Sequence, residues 1–192
     1  RTVYQGTVNS SDTTLNAAQT LADAIGAKHT AWQVDDLVDS AVAKVGAALS
    51  RDLNWERDDI ALQNIQARVR APGVWMLANI ENKLLLATGN LSGMAMGYMT
   101  MDGDTCGVLA PISGLGKERI RHILSYLETE GLRSQVSNNR MPISALRCIN
   151  EQQPTAELRP GVQTDEEDLM PYPVADFIRA QFLNQRRSPV GI

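Results

Sequence analysis

Three consecutive leucines, Leu84-Leu85-Leu86, run into Ala87-Thr88-Gly89-Asn90. This junction constrains the fold more than any other part of the chain. A short aliphatic run without polar alternation fits a strand covered on both faces, as in parallel sheets. The abrupt change to Thr-Gly-Asn ends that strand in a polar loop, and open α/β sheets bind ligands at this edge. From Ala87 to Lys117 the chain adds glycine-containing turns, Asp104 among small residues and a closing lysine. These residue types suit a phosphate group.

The flanking sequence alternates in a compatible way. Thr2 to Val8 reads as a short strand. Ser10-Ser11-Asp12 offers N-caps for a helix carrying Leu15, Ala18, Leu21, Ala22 and Ile25, stopped at Gly26. Lys28 to Val34 is a second strand. Asp35-Asp36 caps a helix with Leu37, Val38, Ala41, Val42, Val45 and Leu49 on one face. Asp58-Asp59 opens a long helix that Pro72-Gly73 kinks. Lys83 to Thr88 is the third strand, and Lys117 to Thr129 an amphipathic helix. A loose segment with Asn138, Asn139 and Pro142 follows, and a final helix runs near Val174 to Asn184. Alternating strands and helices predict an α/β fold, a parallel sheet with helices on both faces.

Composition removes several function classes. The 192 residues suffice for one domain, and their net charge of −4 speaks against broad nucleic-acid binding. No apolar run approaches a membrane span. Cys106 and Cys148 fit no metal spacing and read as reduced thiols of a cytoplasmic protein. The chain opens at Arg1 directly into strand sequence, which suggests a start inside a larger protein.

Three residues of the leucine-fed stretch carry chemistry. Lys117 opens a helix, where free N–H groups and the dipole attract anions; the plain alternative is a solvated lysine. Thr88 could offer a hydroxyl to a phosphate or ribose, or serve only as a turn residue. Asp104, in Asp102-Gly103-Asp104-Thr105, is either part of a turn or a carboxylate facing an amine.

In combination the blocks resemble the synthetase domain of the glutamine-dependent NAD synthetases, amide ligases of the ATP-pyrophosphatase type. The resemblance rests on Ser10-Ser11-Asp12-Thr13-Thr14, on Asp58 to Arg70, on Ala87-Thr88-Gly89-Asn90, on Gly97 to Asp104, and on Pro154-Thr155-Ala156-Glu157-Leu158-Arg159-Pro160. It implies an adenine nucleotide alpha hydrolase-like sheet over residues 1–192, with the region 170–192 leading into a C-terminal tail. It also implies a reaction: ATP adenylates deamido-NAD, and ammonia derived from glutamine displaces AMP to give NAD. By this resemblance Thr88, Lys117 and Thr155 contact ATP, which carries Mg²⁺. Asp104 and Lys117 are catalytic, with Asp104 at the ammonia site. Asn64 and Arg68, at i and i+4 on one helix face, reach deamido-NAD across a homodimer built on the helix from Asp58 to Asn79. The plain alternative for Arg68 is a surface ion pair with Asp58 or Glu81. A glutaminase, fused or separate, supplies the ammonia.

Two departures from the family pattern stand out. The Ser-Gly-Gly-x-Asp-Ser phosphate loop after the first strand has no counterpart here. The sheet is thus expected to lack its central first strand, leaving buried main-chain groups unpaired at roughly 1–3 kcal/mol each. Such a chain is not expected to fold autonomously. Secondly, the family reads Ser-Glu where this chain has Ser92-Gly93, and glycine supplies no carboxylate to a metal or substrate. These departures favour a rival reading, a non-catalytic or incomplete nucleotide-binding homologue. Another ATP-pyrophosphatase ligase is the rival within enzymes. His29, His122 and the methionines at 94, 96, 99 and 101 read as surface or packing residues, and Asp165 to Asp168 as a solvated acidic segment.

Overall fold

Strand β1 (Thr2–Gly6) lies parallel to β2 (His29–Gln33), in register from Thr2 opposite His29 to Gly6 opposite Gln33. The structure is a computed structural model and describes residues 1–135 and 138–192. Helix α1 (Asp12–Ala24) joins the two strands. Ser11 caps it, accepting the Thr14 N–H, and Gly26 takes the left-handed turn that releases it, at φ +67°. The first strand ends earlier than expected because Thr7 and Val8 turn away. Their N–H groups donate to Ser10 Oγ (3.0 Å) and Asp35 Oδ1 (2.9 Å).

Helix α2 (Asp35–Leu49) begins at the predicted place, but Val34 is its N-cap. Asp35 and Asp36 lie in the first turn, where negative charge complements the dipole. Helix α3 (Trp55–Ile80) starts three residues before the expected Asp58. Asn54 caps it, and Asp58 itself departs from helical geometry at φ −114° and ψ 17°. Arg51 holds the Asp58 carboxylate by two hydrogen bonds of 2.7 and 2.8 Å. That pair keeps the carboxyl well below the usual carboxylate range. Helical dihedral angles continue through Pro72-Gly73. Gly73 gives Trp32 room: a Cβ there would meet Trp32 Cζ2 at 3.3 Å.

The short helix α4 (Leu91–Met96) and helix α5 (Lys117–Thr129) follow. Strands β3 (Leu132–Arg133) and β4 (Arg140–Met141) form an antiparallel pair. Helices α6 (Arg147–Asn150), α7 (Asp165–Asp168) and α8 (Tyr172–Arg179) complete the chain, and a π-helical turn extends α8 over Ala180–Asn184.

The α/β class is as expected, but the sheet is smaller. The predicted strand from Lys83 to Thr88 contributes one parallel bridge, Leu86 with Leu109. Leu84 and Leu86 are 69% and 51% exposed, so this run is not covered on both faces. The physical reason lies beside it. Thr2 N–H and Gly6 C=O bond toward β2, which turns the main-chain groups of Val3 and Gln5 to the opposite edge. That edge and the Leu84–Thr88 run flank a cavity of about 830 Å³ floored by α3 at Val74 and Leu77. A sheet with unpaired edges on both sides of such a gap cannot bury its central leucines. The whole surface carries the same signature. A compact monomer of 21.0 kDa exposes about 9,000 Å², whereas this chain exposes 12,197 Å².

Candidate active site

The stretch from Ala87 to Lys117 doubles back on itself. Asn90 caps α4 by accepting the Gly93 N–H, and Gly97 ends that helix at φ +69°. The two ends of the stretch meet where Leu91 N–H donates to Leu115 O at 2.9 Å and Lys117 N–H to Ser92 Oγ at 2.8 Å. Between them the loop 97–104 lies against α3. Gly103 permits this, because a Cβ on it would stand 2.8 Å from Ala67 C.

This contact brings three predicted site residues to one loop. Asp104 Oδ2 accepts the Thr100 N–H at 2.7 Å. The Thr100 hydroxyl donates to Asn64 Oδ1 at 2.6 Å, and Arg68 Nε donates to Met101 O at 3.1 Å. Asn64 and Arg68 therefore latch the Asp104 loop of their own chain. Neither Asp58 nor Glu81 pairs with Arg68; Asp58 takes Arg51 and Arg57, while Glu81 takes Arg1 and Lys83. Thr88 and Asp104 line the central cavity together with Arg70. Arg70 was not singled out from sequence. Its Nε is buried without a hydrogen-bond partner, and burial lowers its pKa against the opposing pull of Asp104.

Lys117 and Thr155 belong to a second cluster. Two N–H groups of the first turn of α5 are already engaged: that of Lys117 by Ser92, and that of Glu118 by Asp176 Oδ2 at 3.2 Å. The Lys117 ammonium lies 3.7 Å from Asp165 Oδ2 and 5.2 Å from the centre of the Tyr172 ring. Thr155 is next in line, since Asp165 N–H donates to Pro154 O at 3.0 Å and Thr155 Oγ1 to Gln163 O at 2.5 Å.

The acidic segment is not solvated as the sequence suggested. Asp165 is 6% exposed and accepts the Tyr172 hydroxyl at 2.6 Å. Burial first, and that hydrogen bond second, push the Tyr172 phenol above its ordinary pKa. Asp168 accepts from Tyr98, Gln163 and Arg159. Burial opposes its charge, but these three donors outweigh it and leave the carboxyl below its usual pKa. Charge runs look alike in sequence whether solvated or buried; only the partners, 5 to 70 residues away, distinguish them.

Asp168 predicts a pH effect. A carboxyl with a depressed folded pKa stabilises the fold above its unfolded pKa, about 3.9, and loses that contribution as pH falls through the folded value. Asp168→Asn is expected to lower the Tm near neutral pH and to flatten its decline below about pH 4. An acid profile identical to that of the parent protein counts against the buried network.

Two further residues tie the site together and escaped the sequence reading. Glu157 accepts Ser11 Oγ at 2.6 Å and Thr14 Oγ1 at 2.8 Å. Gln66, 2% exposed, donates to Leu158 O at 2.6 Å and accepts from Asn9 at 2.9 Å. The sequence blocks near residues 10, 65 and 157 thus meet in space.

Among the described residues the donors do not assemble a resident metal site. Gly93 carries no carboxylate, Asp165 and Asp176 are engaged by Tyr172 and Ser92, and no metal-binding group of His, Cys, Asp or Glu exists among the described residues. No helix among the described residues is long and apolar enough to cross a membrane.

Comparison with known proteins gives a consistent picture. The sequence model of the NAD synthase family matches residues 2–191. The glutamine-dependent NAD(+) synthetase of Thermotoga maritima is 32% identical over 191 residues, covering 99% of this chain and 31% of that protein. The crystal structure of a glutamine-dependent NAD(+) synthetase from Cytophaga hutchinsonii superimposes with a TM-score of 0.79 at 40% identity, over 98% of this chain and 28% of that one. NMN synthetase from Francisella tularensis shares the fold, with a TM-score of 0.75 at 19% identity over 98% of this chain and 68% of that one. The chain spans about a third of the length of the Thermotoga relative.

Proposed function

The chain belongs to the NAD synthase family, and from that premise we propose that it performs the synthetase half of a glutamine-dependent enzyme. The reaction is ATP-dependent amidation of deamido-NAD through an adenylated carboxylate. The observation that carries this reading is the Thr100–Asp104–Asn64–Arg68 arrangement, in which the Asp104 loop is fixed to the Asn64–Arg68 face of α3.

The roles are those that the resemblance implies, and the geometry is compatible with them. Asp104 Oδ2 is held by the Thr100 N–H, which leaves the other carboxylate oxygen to accept a proton from ammonia as it attacks. Proton transfer by a positioned group of this kind contributes about 10²–10⁴-fold. Lys117, with the hydroxyls of Thr88 and Thr155, serves the ATP phosphates, where preorganised donors stabilise charge developing in the transition state. The ammonium of Lys117 then exchanges Asp165 for phosphate, and the Thr155 hydroxyl exchanges Gln163 O for phosphate. Mg²⁺ enters with ATP and supplies charge neutralisation of its phosphates.

Asn64 and Arg68 bind deamido-NAD at the α3 face. A homodimer through α3 is supported by the exposure of Met76 and Ile80, which stand at i and i+4 on one face, at 64% and 71%. Residues 1–192 act as one NAD synthetase-type unit, with ammonia from a fused or separate glutaminase domain. Two free cysteines accord with a cytoplasmic setting. The test is NAD formation from deamido-NAD, ATP and ammonia by the intact gene product. Product at saturating ammonia is the expected result, and its absence sinks the reading. A non-catalytic nucleotide-binding homologue is the second reading, favoured by Gly93; it predicts nucleotide binding without turnover in that assay.

A further inference from the structure

The start of α5 is closed by a carboxylate of the chain itself. Asp176 Oδ1 accepts the Ser92 hydroxyl at 2.5 Å, and Oδ2 accepts the Glu118 N–H at 3.2 Å. Ser92 in turn accepts the Lys117 N–H at 2.8 Å and is 1% exposed. Gly116 admits the carboxylate, because a Cβ there would stand 2.6 Å from Asp176 Oδ2. Arg179, one turn further along α8, brings its Nε to 3.5 Å and balances the charge. The carboxylate therefore joins three elements: the first turn of α4, the first turn of α5, and α8.

Two consequences follow. Two N–H groups at the anion-attracting end of α5, those of Lys117 and Glu118, are taken from within, so they are not open to a phosphate while the clamp holds. And α8 reaches Lys117 twice, through Asp176, which holds the Ser92 hydroxyl that accepts the Lys117 N–H, and through Tyr172 beneath its ammonium. We propose that Asp176 is a positioning residue for the ATP half of the reaction: it clamps Ser92 to the start of α5 and so fixes where Lys117 presents its ammonium. This inference rests on the reading that Lys117 contacts ATP.

The full-length enzyme tests it. Asp176→Asn keeps the shape but replaces one acceptor oxygen by an amide donor, facing either Ser92 or the Glu118 N–H. It is expected to raise the KM for ATP about tenfold, the effect of one hydrogen bond to a charged group, with the KM for deamido-NAD unchanged. Ser92→Ala breaks the clamp from its other side and is expected to give the same ATP-selective shift. Asp176→Ala opens the space beside Gly116, and added formate is expected to restore its KM for ATP. Equal changes in both KM values, or a lower Tm with the KM for ATP unaltered, overturn the proposal. Lys117→Ala separates the two levels of the argument. If it leaves the KM for ATP unchanged, the role of Lys117 fails and the inference falls with it. If it raises that KM while Asp176→Asn and Ser92→Ala do not, only the positioning role is wrong.

Discussion

Asp104→Asn is expected to slow NAD formation by about 10²–10⁴-fold while ATP–pyrophosphate exchange with deamido-NAD continues. Asparagine can still accept the Thr100 N–H that now holds Oδ2, so the loop keeps its shape. What disappears is the anionic oxygen that takes a proton from the incoming amine. The adenylated intermediate should then accumulate or hydrolyse. Steady-state amidation and isotope exchange, measured on the same preparation, separate the two half-reactions. Equal loss of exchange and amidation would place Asp104 in adenylation and overturn its assignment to the amine.

Gly103→Ala is expected to be nearly as damaging, for a steric reason. Its backbone has no unusual φ to protect. Space is the constraint: the new methyl would lie 2.8 Å from Ala67 C, 2.9 Å from Ala67 O and 3.0 Å from Ala67 Cβ. Those atoms belong to the body of α3 and cannot rotate aside, so the loop must retreat. Overpacking of this kind costs about 1–3 kcal/mol. A displacement of about 1 Å at a reacting group costs about 100-fold in rate. The Thr100–Asn64 and Arg68–Met101 bonds should weaken together. Amidation is expected to fall by about 100-fold with a lower Tm. A parent-like melt and rate would show that the loop does not need this contact.

Much of the local structure was legible in the sequence because it depends on neighbours in the chain. Ser11 before an apolar periodic run, Gly26 after it, and the helix from Lys117 to Thr129 all follow from capping and spacing. The break at Asp58 was not legible, since it arises from Arg51 outside the helix. The leucine run shows the limit most clearly. Three aliphatics predict a covered strand, but coverage depends on which strands lie beside it, and one edge here faces a cavity. The candidate site divides in the same way. Asp104, Asn64 and Arg68 were found through motif resemblance, and the structure places them on one loop and helix. Asp176 gave no signal at all, being an ordinary acidic residue in an amphipathic helix. Its role appears only when Ser92, 84 positions earlier, is seen against it.

The bond between Glu157 and the hydroxyls of Ser11 and Thr14 has a consequence for birth of the chain on the ribosome. Its partners are 146 and 143 positions apart. At about 5–20 residues added per second, the amino-terminal βαβ unit waits roughly 7–30 s for the acid that completes the first turn of α1. Throughout that interval the unit is exposed with an unfinished helix end and an open strand edge. Assembly of this unit therefore waits on synthesis of the segment around residue 157, and a nascent chain stalled before it should remain open to protease at Ser11 to Thr14.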